Sequence, residues 1–303
     1  MDRMEAWVFS RSLSQSMVQP SVECREASAS MSIVVAIHDA PLVTMRCLAS
    51  LERDATKSEV ILVDDGSRMV ETRQLIDEFS SRNGWKVVRN REPGGHSAAS
   101  AAGARLATRP YLCLLNSDTV VTPGCWRAIQ QAFETDLSIG VAGPSTSSSG
   151  NEQTLDIAIK CRSYWDDVQI CAFAEQLDAA ALGPAIVDSP WISGFAFFIR
   201  RSLWERLDGF DPKVPGYLND IELCMRVAKA DYRTVWVRNA YIHHLGNQSY
   251  RKTLPDREIE GIMQARVQYI RNKHNWEPPV NAAYTRVVRG RDGRTWTLSS
   301  ATG

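Results

Sequence analysis

The sequence predicts an α/β fold, a mainly parallel sheet flanked by helices with a smaller subregion following it. Three observations carry this. Short runs of β-branched and aliphatic residues without polar alternation, Ile33-Val34-Val35-Ala36-Ile37 foremost, have the pattern of strands buried on both faces. These runs take turns with segments whose apolar residues recur every three or four positions, which is the rhythm of helices lying on a parallel sheet. Acidic or amide residues follow two of the runs directly, at Asp64-Asp65 and at Asn116-Ser117-Asp118. In an open α/β sheet ligands meet the carboxyl ends of the strands, so these positions face a ligand.

Each element follows in order. The first strand ends in His38-Asp39-Ala40-Pro41, and Pro41 suits the first position of a helix. Leu42, Met45, Leu48 and Ala49 then form its expected apolar stripe. Val60-Ile61-Leu62-Val63 is a second strand, Leu75, Ile76 and Phe79 mark a second helix, and Trp85-Lys86-Val87-Val88 is a third strand. An Ala-rich helix runs from Ala98 to Leu106, a strand ends at Leu115, and Trp126, Ile129 and Phe133 share a further helical face. Beyond Pro144 the pattern is less regular. A polar loop over Gly143–Gln153 reads as a flap over a ligand, Tyr164–Leu182 reads as helix, and Thr234-Val235-Trp236-Val237 as strand. Ile221, Cys224, Met225 and Ala228 form another helical stripe, with Asp220 at its N-terminal end.

Composition narrows the class. Thirty-five basic and thirty-five acidic residues cancel, so no global field draws the protein to nucleic acid. Seven scattered cysteines, with no close pair at zinc-ligand spacing, read as reduced thiols. No run approaches the roughly twenty apolar residues of a membrane span. Residues 1–31 read as a flexible, Ser-rich lead-in without a secretory apolar region, and the expectation is a cytoplasmic protein. The loop after the first strand has no glycine, which argues against a dinucleotide fingerprint, and no GxxxxGK[ST] run exists for a P-loop. Gly94-Gly95 instead permits a tight turn.

Several motifs in one order resemble the family-2 glycosyltransferases with the GT-A fold, a Rossmann-like architecture, and among them bacterial rhamnosyltransferase-like enzymes of surface-polysaccharide biosynthesis. The landmarks are Ser32 to Pro41, Val63-Asp64-Asp65-Gly66-Ser67, Gly95 to Gly103, Leu115 to Gly124, Gly194 with Arg200-Arg201, Gly209-Phe210-Asp211, Asn219-Asp220 leading into Arg226, and His244 to Ser249. The resemblance implies a domain over 32–250, with a nucleotide-sugar half at 32–143 and an acceptor half at 144–250, and a C-terminal helix and tail at 251–303. It implies inverting transfer from a nucleoside-diphosphate sugar to a hydroxyl of a glycan or lipid-linked glycan, assisted by Mg²⁺ or Mn²⁺.

The residue roles that the resemblance implies each have a plainer alternative. Asp118, ending a DXD-like Asn116-Ser117-Asp118, would ligate the metal, though an Asp after a strand also caps turns. Asn116 and Ser117 would meet the donor, where Asn116 lacks the charge of the usual aspartate. Ile37 and Asp39 would enclose the base with one of Asp64 and Asp65, and His38 would stack on it or pack at the strand end. Gly95 would lie by the sugar or diphosphate. Asp220 would be the general base, at a position where an ordinary N-cap aspartate also belongs. Trp191, Gly194 and Asn219 fall on the acceptor side, although Trp191, Phe195, Phe197 and Phe198 equally suit a core. His244 would join the metal or the diphosphate, or serve as a structural histidine. Asn219 in place of the family's glutamate, and Ala101 in place of an asparagine, leave open a catalytically degenerate nucleotide-sugar-binding protein. The amphipathic stretch Ile259–Lys273 packs on the core or touches the inner face of a membrane.

Overall fold

A computed structural model describes residues 29–155, 167–179, 184–246, 256–275, 286–289 and 295–298. The Ser-rich lead-in up to residue 28, the run Asn247 to Ser249, and both ends of the helix expected over Tyr164–Leu182 lie outside the described residues. The strands are β1 (Met31–Ile37), β2 (Glu59–Asp65), β3 (Lys86–Asn90), β4 (Tyr111–Asn116), β5 (Thr119–Val121), β6 (Ile139–Ser145), β7 (Ile186–Asp188), β8 (Ala196–Arg200) and β9 (Arg233–His244). The helices among them are α1 (Pro41–Asp54), α2 (Val70–Asn83), α3 (Gly95–Ala104), α4 (Cys125–Thr135), α5 (Asp167–Ala179), α6 (Arg201–Arg206) and α7 (Asn219–Lys229). Residues Asp256–Gly303 form a separate compact unit, with helix α8 (Asp256–His274) and an antiparallel pair, β10 (Arg286–Arg289) and β11 (Thr295–Leu298). No helix among the described residues is long and apolar enough to cross a membrane.

Nine strands form one sheet in the order β3-β2-β1-β4-β8-β6-β9-β5, with β7 also on β9. The first four are parallel, as the alternation of strand and helix requires. Beyond β4 the sheet is mixed: β8 runs antiparallel to β4 and β6, while β6 and β9 are parallel. The β-branched runs are buried on both faces. Ile33 and Val35 join Leu48 and Leu51 of α1, Ile76 and Phe79 of α2, and Trp126 and Phe133 of α4. Val34, Ile61 and Val63 face the other way, against Ala99 of α3, Leu203 of α6 and Leu223 of α7. Phe195, Phe197 and Phe198 are core residues, which answers the alternative left open for them.

The buried stripe of α1 differs from the expected one. Leu42 is 66% exposed, and Val43, Cys47, Leu48 and Leu51 point inward. Both sets satisfy a three-to-four-residue rhythm, and Val43, Cys47 and Leu51 extend it a further turn with Pro41 at the first helical position. Five cysteines, Cys47, Cys113, Cys125, Cys171 and Cys224, are free and buried, in keeping with reduced thiols.

Helix α3 approaches the sheet through Gly103. A Cβ there would stand 2.4 Å from Val34 Cγ1 and 2.8 Å from Val63 Cγ2, too close for any packed atom. Gly103→Ala should therefore lower stability by about 1–3 kcal/mol, the usual cost of overpacking a tight core. Chemical denaturation reads this directly, and an unchanged midpoint would show that the helix does not need this close approach.

Candidate active site

Strand register lines up the sequence-predicted residues. Ile37 pairs with Asp64 across β1 and β2, and Ala36 pairs with Asn116 across β1 and β4, so the carboxyl ends of three parallel strands finish side by side. The β1–α1 loop turns sharply there, with Asp39 and Ala40 both at positive φ (52° and 55°). Asp39 Oδ1 accepts from the backbone amides of Arg68 and Met69 at 2.8 Å each, capping the start of α2. Asp64 accepts from the Ser67 amide at 2.9 Å and from Arg89 at 2.7 Å. Asp65 accepts from Asn90 Nδ2 (2.7 Å) and from the amides of Gly94 (2.9 Å) and Gly95 (2.7 Å), anchoring the start of α3. Each expected donor-side carboxylate is thus bound to the protein's own amides, and Gly95 spends its N–H on Asp65. His38 Nδ1 lies 2.8 Å from the Asp65 carbonyl, which can only accept, so the ring donates there while its side chain stays 35% exposed.

A second ladder brings Asp118 to His244. Strand β5 pairs antiparallel with β9, setting Thr119 opposite His244, and the Leu245 amide donates to the Asp118 carbonyl at 2.9 Å. His244 Nε2 then lies 3.3 Å from Asp118 Oδ1, with both side chains buried. The other ring nitrogen, Nδ1, is 2.7 Å from the Ser148 carbonyl and must donate to it, which leaves Nε2 directed at the carboxylate. Burial works against an imidazolium here, but the Asp118 carboxylate and the Ser148 carbonyl raise the His244 pKa overall. Phe195 stacks on the ring at 5.0 Å and fixes its plane. His243 is different in kind. Its Nδ1 pairs with the Tyr241 hydroxyl at 2.8 Å, and burial, with Arg46 and His244 nearby, lowers its pKa to about 4, so it is a neutral structural histidine.

The His244 Nε2, directed at the Asp118 carboxylate, makes with it an imidazole-carboxylate pair of the kind that binds Mn²⁺ or Mg²⁺. No cluster of three or more His, Cys, Asp or Glu side chains suited to a metal occurs among the described residues. Two protein ligands are what a cation shared with substrate phosphates requires, so the residues present fit such an ion.

Asp220 occupies the second position of α7, whose N-cap is Leu218, not the N-cap itself. Its Oδ2 accepts from the Gly194 amide at 2.8 Å, and its Oδ1 from the Ile221 amide at 2.9 Å. Burial nevertheless dominates and pushes its carboxyl up to about 6, against lowering by those amides. Glu222 and Arg226 form a buried pair on the same helix, and Arg226 reaches the carbonyls of Leu207 (2.6 Å) and Gly209 (2.7 Å), fixing the Gly209-Phe210-Asp211 turn against α7.

Two pairs of consecutive residues join Asp118 to Asp220. Gly194 binds Asp220, and its neighbour Phe195 stacks on His244 beside Asp118. Ser97 binds Asn219 at 2.8 Å, and its neighbour His96 lies in the field of Asp118 and Asp65 with a buried, unpartnered Nε2. Neighbouring Cα atoms are only about 3.8 Å apart, so the same two short stretches of chain reach the surroundings of both carboxylates. Sequence reasoning missed Ser97, His96 and Ser148. Of these only His96 had a local signal, as a histidine directly after a double glycine at a helix start. Asn219, expected toward the acceptor, is buried, with Oδ1 accepting the Asp220 amide and Nδ2 bound to Ser97. Trp191 is half-buried, and its carbonyl holds Asn151 of the polar loop (3.1 Å), whose Gln153 accepts from the Ser193 amide (2.8 Å). Ser117 is buried beside Asp118.

Known proteins resemble this chain in sequence and in fold. The family model of Glycosyl transferase family 2 matches residues 32–183, and that of Glycosyl transferase family group 2 matches residues 111–285. An N-acetylglucosaminyl-diphospho-decaprenol L-rhamnosyltransferase of Mycobacterium tuberculosis (strain ATCC 25618 / H37Rv) is 27% identical over 93 residues, and the matched stretch spans 30% of each chain. A mannosyltransferase, PcManGT from Pyrobaculum calidifontis in complex with GDP-Man and Mn²⁺, superposes with a TM-score of 0.56 at 16% identity, over 91% of this chain and 72% of that one. GalNAc-T7 with UDP, GalNAc and Mn²⁺ gives 0.56 at 17%, over 82% of this chain and 55% of that one. The fold is GT-A.

The anchoring role of Asp65 is separable from any contact with a ligand. Asp65→Ala would strand three donors at the start of α3, and ligand-free protein should lose about 2–4 kcal/mol of stability. Thermal or urea unfolding measures this, and an unchanged stability would mean that Asp65 does not organise the loop.

Proposed function

The chain belongs to glycosyl transferase family 2, and from that premise we propose that it transfers a sugar from a nucleoside-diphosphate sugar to an acceptor hydroxyl with inversion, using Asp220 as the general base. The observation that supports this most is a pair of unlike carboxyl environments linked through Gly194 and Phe195. Asp118 is paired with an imidazole, while the buried Asp220 carboxyl titrates near 6. A base with a pKa close to ambient pH is suited to taking a proton from an attacking hydroxyl. We assign the donor half to residues 32–143, with the base between the loops of Ile37–Asp39 and Asp64–Asp65, and the acceptor half to residues 144–250, with Trp191 and Gly194 at its wall.

Asp118 and His244 would hold a divalent cation, which when bound neutralises the charge that develops on a departing diphosphate. The remaining steps belong to the chain itself. Asp220 orients the acceptor hydroxyl and receives its proton as the oxygen attacks, and the Gly194 amide fixes the carboxylate for that attack. A single displacement from the face opposite the diphosphate inverts the anomeric centre through an oxocarbenium-like transition state. As acceptor class we favour a lipid-linked glycan, since the Mycobacterium relative is named for an N-acetylglucosaminyl-diphospho-decaprenol acceptor. The setting is then cytoplasmic, with peripheral contact at the inner membrane face. Nucleic acid has no place in this reading.

Asp220→Asn should cut turnover by about two to four orders of magnitude while keeping donor affinity, as loss of a positioned base does. In the wild type, kcat/KM should fall on the acid side of pH 6 and level off above it, because only the ionised carboxylate accepts a proton. The fold raises this carboxyl from 3.8 to about 6, so it favours the protonated acid. Ionisation therefore costs stability above pH 6, and that cost vanishes as pH falls below 4. Discounted for its residual exposure, this is on the order of 1–2 kcal/mol at pH 7, so between pH 7 and pH 4 wild type should gain about that much stability relative to Asp220→Asn. A variant with full turnover overturns the assignment. Separately, Asp118→Ala should abolish the Mn²⁺ dependence of nucleoside-diphosphate binding, measured by calorimetry with UDP, GDP and dTDP. Retained dependence would place the cation elsewhere.

A further inference from the structure

We infer that Asn219 is a positioning residue, one half of a buried latch with Ser97 that ties the catalytic helix to the donor-side helix. The inference rests on the reading of Asp220 as base. Its geometry is independent of that reading. Asn219 Oδ1 accepts the Asp220 amide at 2.8 Å, and Nδ2 donates to Ser97 Oγ at 2.8 Å. The Asp220 N–H can only donate, which fixes the amide orientation and directs Nδ2 to Ser97. The same Ser97 oxygen accepts the Gly216 amide at 3.0 Å, so one hydroxyl holds both ends of the turn that leads into α7. Asn219 and Ser97 are both buried, at 4% and 7% exposure, which removes competition from water.

Ser97 stands in the first turn of α3, next to the Gly94 and Gly95 amides that Asp65 anchors. Hydrogen bonds at each end of the first turn of α3 therefore link the end of β2, through that turn, to the backbone of Asp220. Asparagine suits this place because it supplies an acceptor at one end and a donor at the other. A carboxylate in the same position could accept from the Ser97 hydroxyl, but it would bury a second negative charge beside Asp220.

The test uses the full chain with Ser97→Ala, Asn219→Ala and the double variant. Turnover is read as nucleoside diphosphate released from the best donor of a UDP-, GDP- and dTDP-sugar panel with Mn²⁺. Each single variant should lower kcat about tenfold or more with donor KM within about twofold, since a small misplacement of a base costs rate and not binding. The double variant should be no slower than the slower single, because both remove one latch. Amide hydrogen exchange gives a readout that needs no activity: Gly216 should exchange faster in Ser97→Ala. Ser97→Ala removes a single oxygen from a helix, and it decides alone if Asn219→Ala does not fold. Unchanged kcat in Ser97→Ala, multiplicative losses in the double variant, or unchanged Gly216 exchange each overturn the latch. Full turnover in Asp220→Asn would instead remove the base assignment, and Gly216 exchange would still decide the latch.

Discussion

One dipeptide carries the site's geometry. The Gly194 amide holds the Asp220 carboxylate, and Phe195 packs its ring on the imidazole that faces Asp118. Phe195 is itself a core residue, and its carbonyl accepts the Asn116 amide at 2.8 Å, joining the entrance of β8 to the end of β4. The hydrophobic core therefore sets the spacing between the two carboxylates. Any shift of β8 along β4 would move Asp220 and the Asp118–His244 pair relative to each other.

The polar groups around this centre are arranged before any ligand arrives. Asp39, Asp64 and Asp65 accept from backbone amides at loop and helix starts, and Glu222 is paired with Arg226 inside the protein. Buried carboxylates without such partners would be costly, so their bonds stabilise the loops on which a nucleotide would rest. Asp220 is the exception. Its two amide contacts do not overcome burial, and its carboxyl remains raised to about 6. A carboxyl raised in this way, in a protein whose other carboxylates here accept from amides or pair with arginine, is a candidate for chemistry.

The parallel half of the fold was legible because its strands are unbroken β-branched runs and its helices have clear rhythm. The reversal beyond β4 was not, since Ala196-Phe197-Phe198-Ile199 reads the same in either direction and direction depends on pairing. The same ambiguity left the aromatic residues at 195, 197 and 198 undecided between core and ligand wall. The stripe on α1 was misread at Leu42 because two faces of that helix satisfy a similar spacing. Within the site, Asp118 and His244 stood out as motif residues, and their approach comes from the β5–β9 ladder. Ser97 had no local mark at all. Its partner Asn219 lies 122 positions away, and only the tertiary fold brings them together.

The most direct test of the central claim is a crystal structure with Mn²⁺, a nucleoside diphosphate and an acceptor analogue. The account predicts the diphosphate against Asp118 and His244, with the acceptor hydroxyl within hydrogen-bond reach of Asp220 across one cavity. An Asp220 carboxylate opening onto a separate surface, away from the bound diphosphate, would contradict it.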